Sequence, residues 1–472
     1  MATSKRSDAS RTAARAAELT WRILRSRPFL ALVLLVAAIL WQSWGVVALV
    51  GAAGAVTLAA VIVAVRWPHV WSRWIAIARL RSRRRKLIMS WPILCLRLGL
   101  QVRDRLPDGM ARISNPRLVR VRRDRPAVSV LRARVEVLPG QITADVTEQA
   151  DRLATAIGAR WCRPEQISPG VVDLRFLFGD LLAAPLPLSA VPIADVPDLA
   201  ALHVGVTETG EPWTVGLTRG QPHILIAGAT GAGKGSVAWG VLRALAPLIR
   251  DGVVRVSGID LKGGMELAWA RPLLYQLATT IEGATGILSE FAARTQSRAA
   301  SMAGLSRQHV PTAAEPLELL IIDELAALTA YDTDRKRRDE NLRVLGAITT
   351  QGGAPGVHVI GSVQDPRKET CPRHLFPARV ALRLDSADQP DMVLGQGARA
   401  AGAQADKLSA AQPGIAYVMV EGDPVPVRVR VPYVDDDTLR QLVTDYRPSH
   451  PTALRSVPTD TTEDGPTGLA AA

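Results

Sequence analysis

Cysteine is scarce in this sequence of 472 residues, and the 3 cysteines that are present lie far apart. Cys95, Cys162 and Cys371 are odd in number, which argues against a disulfide framework and against a cysteine-rich metal site. We expect them to be small buried hydrophobic residues of a protein in a reducing cytosol. The length allows two or three domains with a sizeable core.

Acidic residues are also scarce in the first quarter of the chain. Residues 1–120 hold 21 Lys/Arg and only 4 Asp/Glu, whereas residues 121–472 hold 36 Lys/Arg and 40 Asp/Glu. The formal net charge of +13 is therefore a property of the N-terminal quarter. It is not evidence that the larger, C-terminal part binds a nucleic acid.

Charge of either sign is absent from residues 29–65, a run of 37 residues. A membrane-spanning helix needs about 20 apolar residues, so we expect two short helices that form a transmembrane hairpin at 29–66. Its flanks, residues 1–28 and a juxtamembrane segment at 67–114, are basic. This charge pattern predicts a protein of the cell membrane with both termini in the cytoplasm. A cleaved signal peptide is the alternative, but its apolar region is only about 7–15 residues long.

Residues 115–200 are interpreted as a small α/β domain with a linker. Val128–Val137 and Val171–Phe178 alternate in the manner of strands, and Thr143–Ile157 has helical spacing. Prolines are frequent at 183–198, which indicates a linker.

Residues 203–434 alternate apolar strands with helical segments, which predicts a parallel sheet covered by helices. After them, residues 435–472 are acidic and then rich in Pro and Thr, so we expect a disordered tail. The predicted strands of the large domain are Ile224–Ala227, Val253–Asp260, Leu317–Asp323, Val357–Val363 and Arg379–Leu384.

A glycine-rich segment with one lysine follows the first of these strands and opens a helical pattern. This order of strand, loop and helix is what a P-loop requires. The glycines allow backbone N–H groups to surround phosphates, and Lys234 supplies charge to the β- and γ-phosphates of ATP. A flexible glycine loop is the alternative, and the position of Lys234 argues against it. The predicted nucleotide-binding residues are Gly228, Ala229, Thr230, Gly231, Ala232, Gly233, Lys234, Gly235 and Ser236.

The residue directly after Lys234 departs from the usual P-loop, in which Ser or Thr binds Mg²⁺ at that position. Here the position holds Gly235, and a hydroxyl comes one residue later. Either Ser236 binds the metal through a shifted helix start, or a water molecule replaces the missing ligand.

Two carboxylates emerge where the apolar run of residues 319–322 ends. In P-loop enzymes an acid at this position holds Mg²⁺, so Asp323 is the predicted metal ligand. Glu324 is positioned to polarise the attacking water, which favours hydrolysis over nucleotide sensing alone. Gln364 ends another predicted strand and is a candidate sensor of the γ-phosphate, although a structural loop amide is an open alternative.

Together these motifs resemble the FtsK/SpoIIIE motor family over residues 203–434, and more faintly over 115–200. The segments that carry the resemblance are Gln221–Gly231, Ile259–Leu267, Leu320–Ala326, Gly352–Gln364, Phe376–Ser386 and Leu394–Gly395.

The resemblance implies a RecA-like P-loop motor that hydrolyses ATP with Mg²⁺, assembles as a hexamer and moves double-stranded DNA. It also implies an arginine finger supplied by a neighbouring subunit. Arg379 is the first candidate for that finger, ahead of Arg294, Arg298 and Arg383. Each of the four has a structural alternative as a surface ion-pair partner.

The layout differs from that of the division translocases, because one hairpin precedes the motor and about 38 residues follow it. This is too short for a C-terminal winged helix. The compact arrangement is similar to the conjugative transfer proteins of mycelial high-GC bacteria, which implies partners among other transfer proteins. The open alternatives are a chromosome-partition translocase, a type VII-like secretion ATPase and a membrane scaffold that binds ATP without hydrolysing it.

Two basic loops of the motor are candidates for phosphate contacts with DNA. The first is Lys262 with the glycines that follow it, and the second contains Arg367, Lys368 and Arg373. The denser cluster at Arg335–Arg338 is less favoured, because neighbouring carboxylates would neutralise it.

Overall fold

The computed structural model describes residues 68–105, 111–124, 129–218, 222–367, 370–420 and 425–448, with six further positions between 51 and 66. The chain divides into two compact units, Met1–Met89 and Ser90–Ala472.

A long helix, α1 (Pro68–Arg97), begins in the first unit. Among the described residues, no helix has both the length and the apolar character that crossing a membrane requires. The basic segment 1–28 and nearly all of the predicted hairpin at 29–66 lie outside the described residues. The hairpin therefore stays a prediction.

After α1, the second unit continues with a small α/β domain. Its four-stranded antiparallel sheet has the order β3-β4-β6-β5. The predicted helix at Thr143–Ile157 is split into two helices, although Val146, Ala150, Leu153 and Ile157 are all buried as its spacing indicates. The elements are β1 (Val102–Arg105), β2 (Ala111–Ser114), β3 (Arg117–Arg123), β4 (Val130–Glu136), α2 (Thr143–Thr147), α3 (Ala150–Ile157), β5 (Trp161–Ser168) and β6 (Val171–Leu177).

A ten-stranded mixed sheet forms the large domain, in the order β11-β10-β12-β13-β9-β14-β15-β16-β7-β8. Its strands are β7 (Leu202–Thr207), β8 (Pro212–Val215), β9 (His223–Ala227), β10 (Val254–Ile259), β11 (Gln276–Ala278), β12 (Leu317–Ile322), β13 (Val357–Val363), β14 (Ala378–Ala381), β15 (Ile415–Val420) and β16 (Val427–Arg430). Its helices are α4 (Lys234–Arg250), α5 (Ile281–Met302), α6 (Leu325–Thr329), α7 (Arg335–Gln351), α8 (Gln389–Leu394) and α9 (Asp436–Asp445).

The large sheet is mixed, so the prediction of a parallel sheet is wrong for four of its ten strands. The six strands from β11 to β14 pair in parallel and include the five predicted strands. Beyond β14, the strands β15, β16, β7 and β8 pair antiparallel. The reason is chain connectivity, because β15 and β16 are joined by a short connection, and only an antiparallel pair can be joined that way.

Hydrophobic residues of the parallel strands face both sides of the sheet, which explains their continuous apolar runs. Leu319 and Ile321 of β12 belong to one core cluster together with residues of α4. The alternate residues Leu320 and Ile322 belong to a second cluster together with residues of α5 and α7. All three cysteines are buried and free, as predicted.

Arginine contacts join the small domain to the antiparallel side of the large sheet. Arg163 Nη2 donates to the carbonyl of Pro426 at 3.0 Å. Arg428 of β16 forms an ion pair with Asp180 at 2.8 Å, and Arg430 Nη1 donates to the carbonyl of Leu182 at 2.6 Å. Residues close to the C-terminal end of the motor thus secure the segment that follows β6.

The predicted tail at 435–472 is partly ordered, so this prediction is wrong for its first residues. Asp435 caps α9 through a hydrogen bond from the Thr438 N–H at 2.8 Å. Leu439 and Leu442 are buried in the core cluster that contains α4. The acidic residues that suggested disorder form the first turn of the helix, where the helix dipole favours them. Residues 449–472 lie outside the described part of the chain.

We expect Leu442→Ala to destabilise the protein, because it leaves a cavity beneath α9. Leu-to-Ala substitutions at such sites cost about 2–5 kcal/mol of unfolding free energy. Denaturant unfolding is the measurement, and Gln441→Ala on the exposed side of the same helix is the control, with an expected change within about 0.5 kcal/mol. Equal stabilities of the two variants would contradict the packing of α9.

Candidate nucleotide site

The predicted P-loop lies between β9 and α4. Gly231 has a φ of 72° and Gly233 a φ of 101°, which are left-handed conformations that favour glycine. A Cβ at Gly233 would lie 2.8 Å from the backbone nitrogen of Gly414, so a larger residue does not fit there. The first turn of α4 contains no acidic residue, so the positive end of the helix dipole is open to an anion.

Lys234 lies across this loop, at the first position of α4. Its ammonium donates to the carbonyl of Gly228 at 2.7 Å and to that of Ala229 at 3.4 Å. Burial lowers the pKa of Lys234, and the nearby carboxylate of Glu324 opposes this shift. The lysine is thus held over the loop that a phosphate group would enter.

The acidic pair lies at the end of β12, with Lys262 against it. The Lys262 ammonium is 2.9 Å from an oxygen of Asp323 and 3.6 Å from one of Glu324. Burial opposes the charge of Lys262, but the hydrogen bond and the charge of Asp323 outweigh it and raise the pKa of the lysine. This position does not support the prediction that Lys262 contacts DNA, because its charge is engaged inside the site.

Glu324 is almost fully buried. Burial raises the pKa of its carboxyl group, while the charge of Lys262 and N–H groups of Ala326 and Gln364 oppose the shift. In the part of the chain that the structure describes, its Oε1 has no hydrogen-bond partner. A buried oxygen of this kind is ready to accept a hydrogen bond from a water molecule.

Gln364 follows β13 and joins the two motifs. Its Oε1 accepts a hydrogen bond from the Thr230 hydroxyl of the P-loop at 3.2 Å, and its backbone N–H opposes the rise in the pKa of Glu324. The structure thus brings the P-loop, the acidic pair and Gln364 together at one edge of the sheet.

A buried aspartate that the sequence analysis did not single out organises the loop after β10. Asp260 is fully buried, and its carboxylate accepts hydrogen bonds from the N–H groups of Lys262 at 3.1 Å, Glu266 at 2.9 Å and Leu267 at 3.0 Å. These bonds fix the backbone from which Lys262 and Glu266 project. The signal in the sequence was Asp260 directly after an apolar strand, in the motif that also contains Lys262.

Glu266 approaches the position where the P-loop lacks a side chain. A Cβ added to Gly235 would lie 3.1 Å from Glu266 Oε2. Burial and the charge of Asp323 raise the pKa of Glu266. The carboxylate thus borders the space that the usual Ser or Thr would occupy.

Two family profiles match consecutive parts of the chain. Residues 194–403 match the FtsK/SpoIIIE family, and residues 59–178 match the actinomycete conjugal transfer protein N-terminal domain. Residues 194–403 are thus similar to the FtsK/SpoIIIE family, and they follow a segment that is similar to the conjugal transfer N-terminal domain. This confirms the resemblance on which the sequence analysis relied.

One relative of this chain is a transfer protein. The transfer protein TraSA of Streptomyces ambofaciens is 26% identical over 359 residues, which are 70% of this chain and 80% of that protein. Among solved structures, the pCW3 conjugation coupling protein TcpA with ATPγS is 18% identical with a TM-score of 0.48, over 77% of this chain and 99% of that one. The cytoplasmic domain of the Thermomonospora curvata type VII secretion ATPase EccC is 20% identical with a TM-score of 0.45, over 58% and 36%.

The arginines predicted as candidate fingers have contacts within the chain. Arg379 donates to the carbonyls of Phe376 at 2.9 Å and Leu394 at 3.1 Å. Arg383 donates to the carbonyl of Thr230 at 2.9 Å, so it lies on the P-loop of its own subunit. The prediction of Arg379 as a finger acting on a neighbouring subunit stays a prediction. Arg294 forms an ion pair with the buried Glu318, and Arg298 donates to the carbonyls of Pro355 and Pro316.

In the second predicted DNA loop, only some of the basic residues are available to contact DNA. Arg373 donates to the carbonyls of Asp391 at 2.7 Å and Met392 at 2.9 Å, which does not support a role in binding DNA. Arg367 is exposed and pairs with Asp365, whereas Lys368 lies outside the described residues. In the cluster at Arg335–Arg338, ion pairs with neighbouring carboxylates are present, as the sequence analysis expected.

We expect Asp260→Asn to weaken both stability and nucleotide binding, because an amide group replaces one oxygen that accepts backbone N–H groups. Leaving buried donors without partners costs about 1–3 kcal/mol of unfolding free energy. Denaturant unfolding and titration with a fluorescent ATP analogue measure the two effects. Asp251→Asn is the control, since its half-exposed carboxylate pairs with the adjacent Arg250. An Asp260→Asn variant with unchanged stability and affinity would refute this role.

Proposed function

We propose that this protein is a membrane-anchored ATPase that moves double-stranded DNA during conjugative transfer, working as a ring, a hexamer, at the cytoplasmic membrane. The observation that carries the ATPase part is the convergence of Lys234, Asp323, Glu324 and Gln364 at one edge of the sheet. The FtsK/SpoIIIE domain and the conjugal transfer N-terminal domain support the DNA and transfer parts.

In this proposal Lys234 moves from the loop carbonyls onto the β- and γ-phosphates of ATP, to which its charge is complementary. Glu324 accepts a hydrogen bond from the attacking water through its unpartnered buried oxygen and takes up its proton. The raised pKa of Glu324 makes it a stronger base than an exposed carboxylate. Gln364 links the P-loop to Glu324, so a change in phosphate occupancy is transmitted to the strand end.

Mg²⁺ would be held mainly by the nucleotide, since it usually keeps several waters and binds one or two carboxylates together with phosphates. This agrees with the finding that the described residues contain no group of three metal-binding side chains that could hold an ion alone. Asp323 fits as one ligand. For the position that Gly235 leaves open, the candidates are Ser236 and Glu266, whose carboxylate borders that space. Bound Mg²⁺ would neutralise the charge that develops on the phosphates.

Arg367 is the remaining described candidate from the predicted DNA loops. It is exposed, and it follows Gln364 by three residues. A contact between Arg367 and a DNA phosphate would therefore lie next to the proposed γ-phosphate sensor, which offers a short route from ATP hydrolysis to DNA. Lys368 stays part of this proposal as its neighbour in the sequence.

The proposal predicts that duplex DNA raises the rate of ATP hydrolysis by the purified full chain. Glu324→Gln should retain binding of an ATP analogue but lose hydrolysis by about 100-fold or more. Lys234→Ala should lose both. Glu340→Gln, a half-exposed change on α7, is the control with unchanged rates.

The outcomes also separate the alternatives. Hydrolysis that does not respond to duplex DNA would favour a type VII-like secretion ATPase, and binding without turnover would favour a nucleotide-gated scaffold. Wild-type rates in Glu324→Gln would show that another group activates the water.

A second prediction concerns the metal. If the carboxylate next to Gly235 takes the place of the usual hydroxyl, Glu266→Gln should raise the Mg²⁺ concentration needed for half-maximal binding of a fluorescent ATP analogue by about tenfold, as loss of a metal-supporting group does. Ser236→Ala should then have little effect. The opposite result would identify Ser236 as the ligand, and no effect in either variant would indicate a water molecule.

A further inference from the structure

The small-domain sheet carries a row of four arginines at one register. Arg122 of β3 lies opposite Arg132 of β4, Arg132 lies opposite Arg175 of β6, and Arg175 lies opposite Arg163 of β5. Directly opposed residues of an antiparallel sheet share a face, and like charges at such positions destabilise the pairing. The row concentrates positive charge across all four strands, and neighbouring carboxylates offset only part of this charge.

Two further arginines extend this arginine face. Arg120 and Arg134 form the adjacent pair on the same side of β3 and β4, since alternate residues of a strand share a face. The helices α2 and α3 contact strands β6 and β5, and their buried residues include Val146, Leu153 and Ile157. They cover the opposite face of the sheet. On the arginine face, Arg120 and Arg122 are exposed and the other four arginines are half-buried.

Carboxylates under the arginines hold the guanidinium groups in place. Asp173 is fully buried and accepts two hydrogen bonds from Arg134 at 2.7 and 2.9 Å. Asp124 pairs with Arg132 at 3.3 Å and with Arg175 at 3.1 Å. The arginine side chains are more exposed than their acidic partners, and a guanidinium has five donors, which is more than these ion pairs occupy.

The row also leads to the motor. Arg163, at its inner end, pairs with the buried Glu208 at 2.8 Å and contacts Pro426, both of the large domain. At the outer end, Arg120 and Arg122 are exposed. Three strand spacings of about 4.8 Å give the row a width of about 14 Å, which is similar to the major groove of about 12 Å.

We propose that this arginine face binds the phosphate backbone of duplex DNA and guides it toward the motor. Guanidinium groups match phosphate oxygens with paired hydrogen bonds, which suits sequence-independent contacts. Binding of unpaired bases would need exposed aromatic rings for stacking. The one aromatic residue of the face among those described, Trp161, donates its indole N–H to Glu208 and lies beneath the guanidinium of Arg163. The inference rests on the proposed DNA-moving function.

The test measures binding of a duplex of about 30 base pairs to the full chain at several salt concentrations. Arg120→Glu combined with Arg122→Glu should weaken binding at least about tenfold and reduce the slope of log K against log salt by about two, because two phosphate contacts are lost. Basal ATPase activity should not change, since both residues belong to the small domain. Arg152→Glu, on α3 at the covered side, has the same kind of charge change and should bind like the wild type.

The possible results separate this inference from the proposed function. A milder pair, Arg120→Gln with Arg122→Gln, should show an intermediate loss, and thermal unfolding checks that both double variants are folded. Wild-type affinity in both folded double variants would overturn the arginine face while leaving DNA translocation intact. Loss of binding to anionic phospholipid vesicles with unchanged duplex binding would make this a lipid surface instead. A wild-type chain that binds no duplex would contradict the proposed function as well.

Discussion

Parallel pairing of the central strands is the constraint on which the candidate site depends. Parallel strands that are paired in register end at the same edge of a sheet. Ala227 is paired with Val363, and Ile259 with Ile322. The P-loop, the loop after β10, the acidic pair and Gln364 each begin directly after one of these strand ends, so segments more than 100 residues apart in sequence meet within hydrogen-bond distance. The helices on both faces keep this edge fixed by burying the apolar side chains of the strands.

Most of this half of the fold could be predicted from the sequence, because continuous apolar runs and glycine-rich loops are local signals. The five predicted strands are present with small differences in their bounds, and the order of motifs located the site. The antiparallel half was missed, since a strand such as β16 alternates valine with arginine and lacks a continuous apolar run. It is stabilised by β7, which is distant in sequence. The helix at residues 436–445 was missed for a related reason. Their acidic composition suggested a tail, whereas Leu439 and Leu442 find a partner surface that only the folded core provides.

The function of individual charges was harder to predict than the fold. Lys262 and Arg373 are basic residues in glycine-rich or irregular segments, and the sequence suggested contacts with DNA. In the structure the first neutralises Asp323 and Glu324, and the second holds the carbonyls of Asp391 and Met392. A local sequence pattern does not reveal whether the fold directs a basic side chain at such internal partners. The arginine row is the converse case, because its members are scattered over four strands and become one surface only through sheet register.

The arginine contacts between the small domain and the region of β16 have a consequence for the synthesis of the protein. Arg163 and Pro426 are 263 positions apart, and Arg430 and Leu182 are 248 apart. The small domain is translated well before these partners, so the contacts between it and β16 can form only after β16 has been made. A chain that is truncated before β16 lacks these contacts between the small domain and the large sheet. The position of the small domain on the large sheet therefore depends on translation through Arg430 at the end of β16.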